Sequence, residues 1–188
     1  GYSAHKNLGF TLFSLIALAL DSLAIAGQAL VGHRLGAGNT SETRAVVRQL
    51  IRWGWWAGAG LGVVLVLTSP LLPLVVTSDA EIRSLLIPTL IVLGAAMPLG
   101  GFVFVLDGVL MGAGDGRYLA ITGVLNVAAV LPLFALTLWV AQTTSLDWLG
   151  IVALQASVGF GYLGARALTL GLRARTDRWM VIGERSGA

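Results

Sequence analysis

An all-α, polytopic membrane bundle of about five transmembrane helices is the fold class that this sequence predicts, and three observations carry the prediction. The 188 residues are 56% hydrophobic and 11% charged, whereas a soluble domain carries about 25% charged residues. The apolar residues fall in stretches of the length a bilayer core demands, about 20 residues per helix. The breaks between these stretches are short and made of turn-forming residues. A chain of this size has too little interior to hide so many apolar segments from water. The bilayer is therefore its solvent, in keeping with a mean hydropathy of +0.86.

The stretches place expected spans at 8–32, 53–77, 85–111, 119–141 and 149–172, followed by a polar cytoplasmic tail at 173–188. Each break carries its own turn chemistry: Gly36-Ala37-Gly38-Asn39-Thr40-Ser41, Ser78-Asp79-Ala80-Glu81, Gly112-Ala113-Gly114-Asp115-Gly116 and Gln142-Thr143-Thr144-Ser145. After the first break, Ser41, Arg44, Arg48 and Arg52 recur at helical spacing. This predicts a helix that starts in the cytoplasm and runs directly into the second span. Trp53, Trp55 and Trp56 then fall at the interface, where aromatic belts form. Two breaks share a Gly-Ala-Gly turn after a span bearing an aspartate, a faint internal echo, although the distance from Asp21 and from Asp107 to the turn differs.

Cytoplasmic loops of membrane proteins are enriched in Lys and Arg. With five alternating spans, Arg34, Arg44, Arg48, Arg52, Arg117, Arg166, Arg173, Arg175, Arg178 and Arg185 fall on or near one side, and Lys6 and Arg83 on the other. That places the N-terminus outside and the C-terminus in the cytoplasm, across a plasma (inner) membrane. A chain that starts outside without a signal segment is expected to follow at least one further span, so the sequence reads as a fragment. The formal charge of +3 reports orientation, and no nucleic-acid partner is expected. The absence of cysteine excludes disulfides, thiolate metal sites and Cys nucleophiles.

An ionisable residue at membrane depth costs roughly 2.5–3.5 kcal/mol at a helix centre, so it faces protein or water and marks function. Asp21 sits mid-span, and positions seven apart share a helix face, so Ser14, Asp21 and Gln28 form one inward polar stripe. Gln155, Tyr162 and Thr169 repeat the pattern in the last span, and Asn126 is the strongly polar residue of the fourth. These groups either line an aqueous cavity or hydrogen-bond neighbouring helices. Asp107, nearer the cytoplasmic end of the third span, either acts in the membrane or caps the glycine-rich turn after it. Gly54, Gly58, Gly60 and Gly62, with Gly94, Gly100 and Gly101, are expected at close helix contacts. Pro88, Pro98 and Pro132 are expected to kink their helices and free carbonyls. His5 and His33 lie near span ends with no ligand cluster, so no metal is expected. No Ser-His-Asp, paired-carboxylate or zincin spacing appears, and the glycine-rich turn lacks the Lys-Ser/Thr of a phosphate-binding loop. No enzyme and no organic cofactor is indicated.

Three stretches resemble the multidrug and toxic compound extrusion (MATE) transporters, especially their DinF-like branch. They are Asp21-Ser22-Leu23-Ala24-Ile25-Ala26-Gly27-Gln28-Ala29-Leu30-Val31-Gly32 with Leu35-Gly36-Ala37-Gly38-Asn39 and Arg44; Pro98 with Leu106-Asp107-Gly108-Val109-Leu110-Met111-Gly112-Ala113-Gly114-Asp115-Gly116-Arg117-Tyr118-Leu119; and, more weakly, Ser3-Ala4-His5. The resemblance implies twelve helices in two lobes, of which this chain supplies the eighth to twelfth, a C-terminal lobe without its first helix and without the N-terminal lobe. It implies exchange of protons or sodium for amphipathic or cationic drugs by alternating access. The sodium-branch acidic position on the tenth helix falls near Gly100, so it does not transfer to Asp107. Asp21 and Asp107 match the DinF-like pattern, which implies cavity-lining or coupling roles. A non-transporting remnant or membrane interaction subunit, and a lipid-linked sugar flippase of the same superfamily, stay open as alternatives.

Overall fold

A computed structural model describes residues 18, 21–22, 24–143 and 147–180. Ser14, the Ser3-Ala4-His5 stretch and most of the first half of the expected span 8–32 lie outside the described residues. All regular structure among the described residues is helical. Helix α1 is helical at 24–36, and α2 runs Thr40–Thr68, α3 Leu72–Val76, α4 Ala80–Gly112 and α5 Gly116–Thr143. Helix α6 covers Asp147–Ala156, a π-helical segment covers Ser157–Tyr162, and α7 covers Leu163–Arg175. Among the described residues, three helices, α2, α4 and the 116–140 part of α5, are long and apolar enough to cross a membrane.

Local chemistry fixes the helix ends. The Asn39 side chain accepts from the Glu42 N–H and starts α2, which then runs unbroken through Arg44, Arg48 and Arg52. Asp79 accepts from the Glu81 and Ile82 N–H groups and starts α4. The expected span 53–77 is not one helix: α2 stops at Thr68 and α3 begins at Leu72, because Pro70 and Pro73 cannot supply the donors that would continue it. The two Gly-Ala-Gly turns are built alike. Gly38 and Gly114 both adopt positive φ, 76° and 79°, a conformation that glycine reaches without a Cβ penalty. Asn39 N–H donates to the Arg34 carbonyl and Asp115 N–H to the Leu110 carbonyl, each closing a C-terminal turn of the preceding helix. The echo in the sequence is thus a repeated helix–turn–helix geometry, although Asp21 and Asp107 hold no equivalent place in it.

Helix α4 is the central element, touching α2, α3, α5, α6, the π segment and α7. Its contacts with α2 are close backbone contacts. A Cβ built on Gly58 would stand 2.3 Å from the Met97 carbonyl oxygen, one on Gly62 2.2 Å from that of Gly94, and one on Gly101 2.1 Å from that of Gly54. Pro98 has no N–H, so the Gly94 carbonyl lacks its helical donor, and Gly62 lies against that freed oxygen. The other side of α4 receives α1 in the same way: Gly108 packs on the Ala24 carbonyl and Gly112 on that of Gln28. Gly60 and Gly100 depart from expectation. Gly60 is exposed with nothing within 4 Å of its Cβ position, and Gly100 meets only the ends of Leu163 and Met97 at ordinary distance.

The apolar core, with Val31, Leu50, Leu106, Val109, Leu110 and Leu170 as members, gathers in the half of the bundle nearest the two Gly-Ala-Gly turns. Outside it, large apolar side chains face outward along every long helix, including Leu67 at 70% and Val124 at 71% exposure. Such a surface fits a bilayer, whose core is itself apolar. Trp53, Trp55 and Trp56 are exposed on α2, with Trp55 tilted against Phe102 of α4 at 5.7 Å between ring centroids.

Gly62→Val is expected to destabilise the bundle by about 1–3 kcal/mol, the usual range for overpacking, whereas Gly60→Val leaves stability unchanged. Unfolding of the two variants in detergent, followed by far-UV circular dichroism, checks the contrast.

Candidate functional site

Helix α5 presents Tyr118, Thr122 and Asn126, four residues apart, and α7 presents Arg166, Thr169 and Arg173. Spacings of three, four and seven put residues on one helix face, so the two helices bring a polar stripe against a polar stripe. Asp107 of α4 and Asp115 of the turn after it, eight residues apart, complete a seam between three helices.

Arg166 is its centre. The side chain is 9% exposed, and its Nη2 donates to Asp107 Oδ1 at 2.6 Å. Its Nη1 donates to the Leu119 carbonyl at 3.2 Å and to Thr122 Oγ1 at 3.1 Å. Thr122 in turn donates to the Tyr118 carbonyl at 2.7 Å. The room for the guanidinium comes from Gly123, whose Cβ position lies 3.6 Å from Arg166 Nη1. One turn further along α5, the buried Asn126 donates through Nδ2 to Thr169 Oγ1 at 3.0 Å, and that hydroxyl donates to the Arg166 carbonyl at 2.9 Å. No buried side-chain nitrogen or oxygen among the described residues lacks a partner. A guanidinium in hydrocarbon needs such a set, since each unmet donor there costs several kcal/mol.

The seam ends at the 112–116 turn. Arg173 Nε donates to Asp115 Oδ2 at 2.7 Å and the guanidinium lies 4.7 Å over the Tyr118 ring, a cation–π geometry. Tyr118 donates its hydroxyl proton to the Thr169 carbonyl at 2.8 Å. The hydrogen bond with Asp115 raises the Arg173 pKa from its ordinary value, outweighing the opposing effect of desolvation. Arg166 lies seven residues before Arg173 and Asp107 eight before Asp115, so the inner pair stands about 10 Å deeper than the outer one at 1.5 Å rise per residue.

Of the polar residues singled out from sequence, Asp107, Asn126 and Thr169 enter this seam and Asp21, Gln28, Gln155 and Tyr162 do not, among the described residues. Asp107 does not cap the glycine-rich turn; it faces Arg166. Asp21 is exposed, and the Gln28 side chain is exposed on α1. Gln155 precedes the π segment and Tyr162 closes it, so a wider turn separates both from Thr169, and a straight α-helical stripe does not relate the three positions. Glycines let that segment pack tightly, with the Gly159 Cβ position 3.1 Å from Ala96 and that of Gly161 3.0 Å from Leu133. π-Turns of this kind recur at functional sites.

Arg166 is the residue that sequence reasoning misplaced. Counting it among the cytoplasmic-side arginines hid the fact that it lies within the expected span 149–172. An arginine six residues inside a span is itself the signal, because an intramembrane charge demands a partner. Its removal from the count leaves nine basic residues facing the two of the other side.

The MatE family profile matches residues 4–146, which include Asp107, Tyr118, Thr122 and Asn126 and end before α6. The chain is 30% identical over 168 residues to Protein DETOXIFICATION 44, chloroplastic, of Arabidopsis thaliana, an alignment covering 87% of this chain and 32% of that protein. It is 29% identical over 170 residues to Protein DETOXIFICATION 43 of the same plant, covering 89% of this chain and 31% of that protein. The chain thus spans about a third of the length of these curated relatives. No solved structure matches the chain.

Arg166→Gln is expected to destabilise the protein by about 2 kcal/mol, below the 3–5 kcal/mol of a fully buried broken pair because Asp107 keeps 35% of its side chain exposed. Asp107→Asn/Arg166→Gln is expected to be more stable than the sum of the single losses, with a coupling above about 1 kcal/mol, as read from a double-mutant cycle in detergent.

Proposed function

Because the chain belongs to the MatE family, whose members are transporters and not enzymes, we propose that it forms part of a cation-coupled multidrug efflux antiporter working by alternating access. The Asp107–Arg166 pair within the bundle is the observation that carries this reading to particular residues. Antiport needs an element with two arrangements that both the ion and the drug bias. Here Arg166 holds the ionised Asp107 carboxylate and ties α4 to α7. A proton or a sodium ion on Asp107 cancels that attraction, while Arg166 keeps the Leu119 carbonyl and Thr122 as partners. Helix α4 is then free to shift against α7. A cationic drug competes for the same carboxylate, so ion and drug exclude one another.

In this reading the exposed Asp21 and Gln28 face a central cavity, and Asn126, Gln155 and Tyr162 stand near it. The opposite wall is a second lobe of the same parent protein. The length of the relatives supports that assignment, since each is about three times the aligned region. The substrates are small amphipathic or cationic drugs. The Asp21 and Asp107 stretches support the DinF-like branch. The basic count of nine against two supports a plasma-membrane orientation with the C-terminus in the cytoplasm.

In proteoliposomes carrying the full-length parent, Asp107→Asn is expected to slow efflux of an organic cation such as ethidium at least tenfold, under a pH gradient or a sodium gradient, at unchanged protein level. Asp21→Asn is expected to impair export as well. Export by Asp107→Asn at the wild-type rate under both gradients rejects the assigned role, and whichever gradient drives the wild-type protein identifies the ion.

A further inference from the structure

A cavity of about 450 Å³ opens between α2, α4, α7 and the segment that follows α7, on a different face from the polar seam. Its rim carries Arg44, Arg48 and Arg175, and its lining includes the apolar side chains of Phe102, Leu106 and Trp179. Leu106 and Trp179 are buried, so the floor belongs to the core and is preformed. Arg44 is ion-paired with Asp177. Arg48 and Arg175 are exposed and have no acidic partner among the described residues. Three guanidinium groups thus meet one carboxylate, and the site carries a net positive charge.

The position along the helix says what kind of anion fits. Arg48 lies seven residues, about 10 Å of rise, before Trp55, and Trp53, Trp55 and Trp56 mark the interfacial level where aromatic side chains reside. The arginines therefore stand at headgroup depth. Guanidinium groups suit phosphate oxygens through paired N–H donors, while the apolar floor leads to the exposed Leu168 and Leu172 of α7. A free phosphate uses the arginines and leaves the apolar lining wetted. A phospholipid uses both.

We propose that this cavity binds an anionic phospholipid of the leaflet at the arginine-rich end of the bundle, its phosphate on Arg48 and Arg175 and its glycerol and upper acyl chains over Phe102 and Leu106. Basic pockets between transmembrane helices take lipid headgroups elsewhere by this chemistry. The bound lipid joins α2 to α7 across the cavity, beside the Arg44–Asp177 ion pair.

Native mass spectrometry of the purified protein, titrated with phosphatidylglycerol or phosphatidylcholine, tests the site. The first phosphatidylglycerol is expected to bind at least tenfold more tightly than phosphatidylcholine. Arg48→Gln/Arg175→Gln is expected to abolish that preference, while Arg117→Gln, at an exposed position outside the cavity, keeps it. Equal binding of the two lipids, or an unchanged preference in the double variant, overturns the proposal. So does displacement of the lipid by millimolar inorganic phosphate, which would make the ligand a free anion. Should the double variant fail to fold, a photoactivatable phosphatidylglycerol on the unmutated protein decides the matter. Labelling concentrated on residues 48–51 and 171–179 supports the site, and labelling spread evenly over the lipid-facing surface refutes it.

Discussion

Close backbone contact along α4 is the constraint from which the rest of the bundle follows. Lipid tails are as apolar as leucine, so burying leucine between helices gains little in a membrane and association rests on van der Waals packing and polar contacts. Glycine supplies the packing by letting whole backbones approach. Gly54, Gly58 and Gly62 of α2 lie against Met97, Gly94 and Gly101 of α4, while Gly108 and Gly112 of α4 receive α1. A helix gripped on two sides by its own backbone has little freedom to rotate, and its remaining side is thereby aimed. That side carries Asp107.

The aimed carboxylate explains how an arginine can be housed in the same bundle. Arg166 at its depth would be unfavourable alone, but α4 offers Asp107, and α5 offers the Leu119 carbonyl and Thr122, at 2.6–3.2 Å. Helix propensity plays no part in this arrangement. The stripe of Tyr118, Thr122 and Asn126 on α5 meets Arg166, Thr169 and Arg173 on α7 because the Gly112–Gly116 turn brings α5 back beside α4, and α7 fills the groove between them. The outer pair, Arg173 with Asp115, locks that turn to the end of α7. Polar bonds and glycine contacts thus share the work, the first fixing rotation of α7 and the second fixing separation of α1, α2 and α4.

Core packing is uneven along the bundle. Buried apolar residues concentrate near the two Gly-Ala-Gly turns, while the far half of each long helix shows its apolar side chains to lipid. The π segment at Ser157–Tyr162 and the prolines at Pro88 and Pro98 fall outside that apolar cluster, and the π segment and Pro98 are held instead by close glycine contacts.

The sequence by itself determined the membrane environment, the helical class and the sites of the turns, because these rest on local properties. Apolar run length sets what can cross a bilayer, and glycine in Gly-Ala-Gly sets where the chain can take positive φ. It also marked Asp107 and Asn126, whose polarity is anomalous within an apolar run. Only the tertiary structure decided that Arg166, 59 positions away in the chain, is the partner of Asp107, that the stripe through Gln155 and Tyr162 is broken by a π turn, and that Gly60 and Gly100 are not contact glycines. Those facts depend on how the helices are rotated about their axes. Rotation is set by which backbones touch, and a single helix's sequence does not encode the surface of its neighbour.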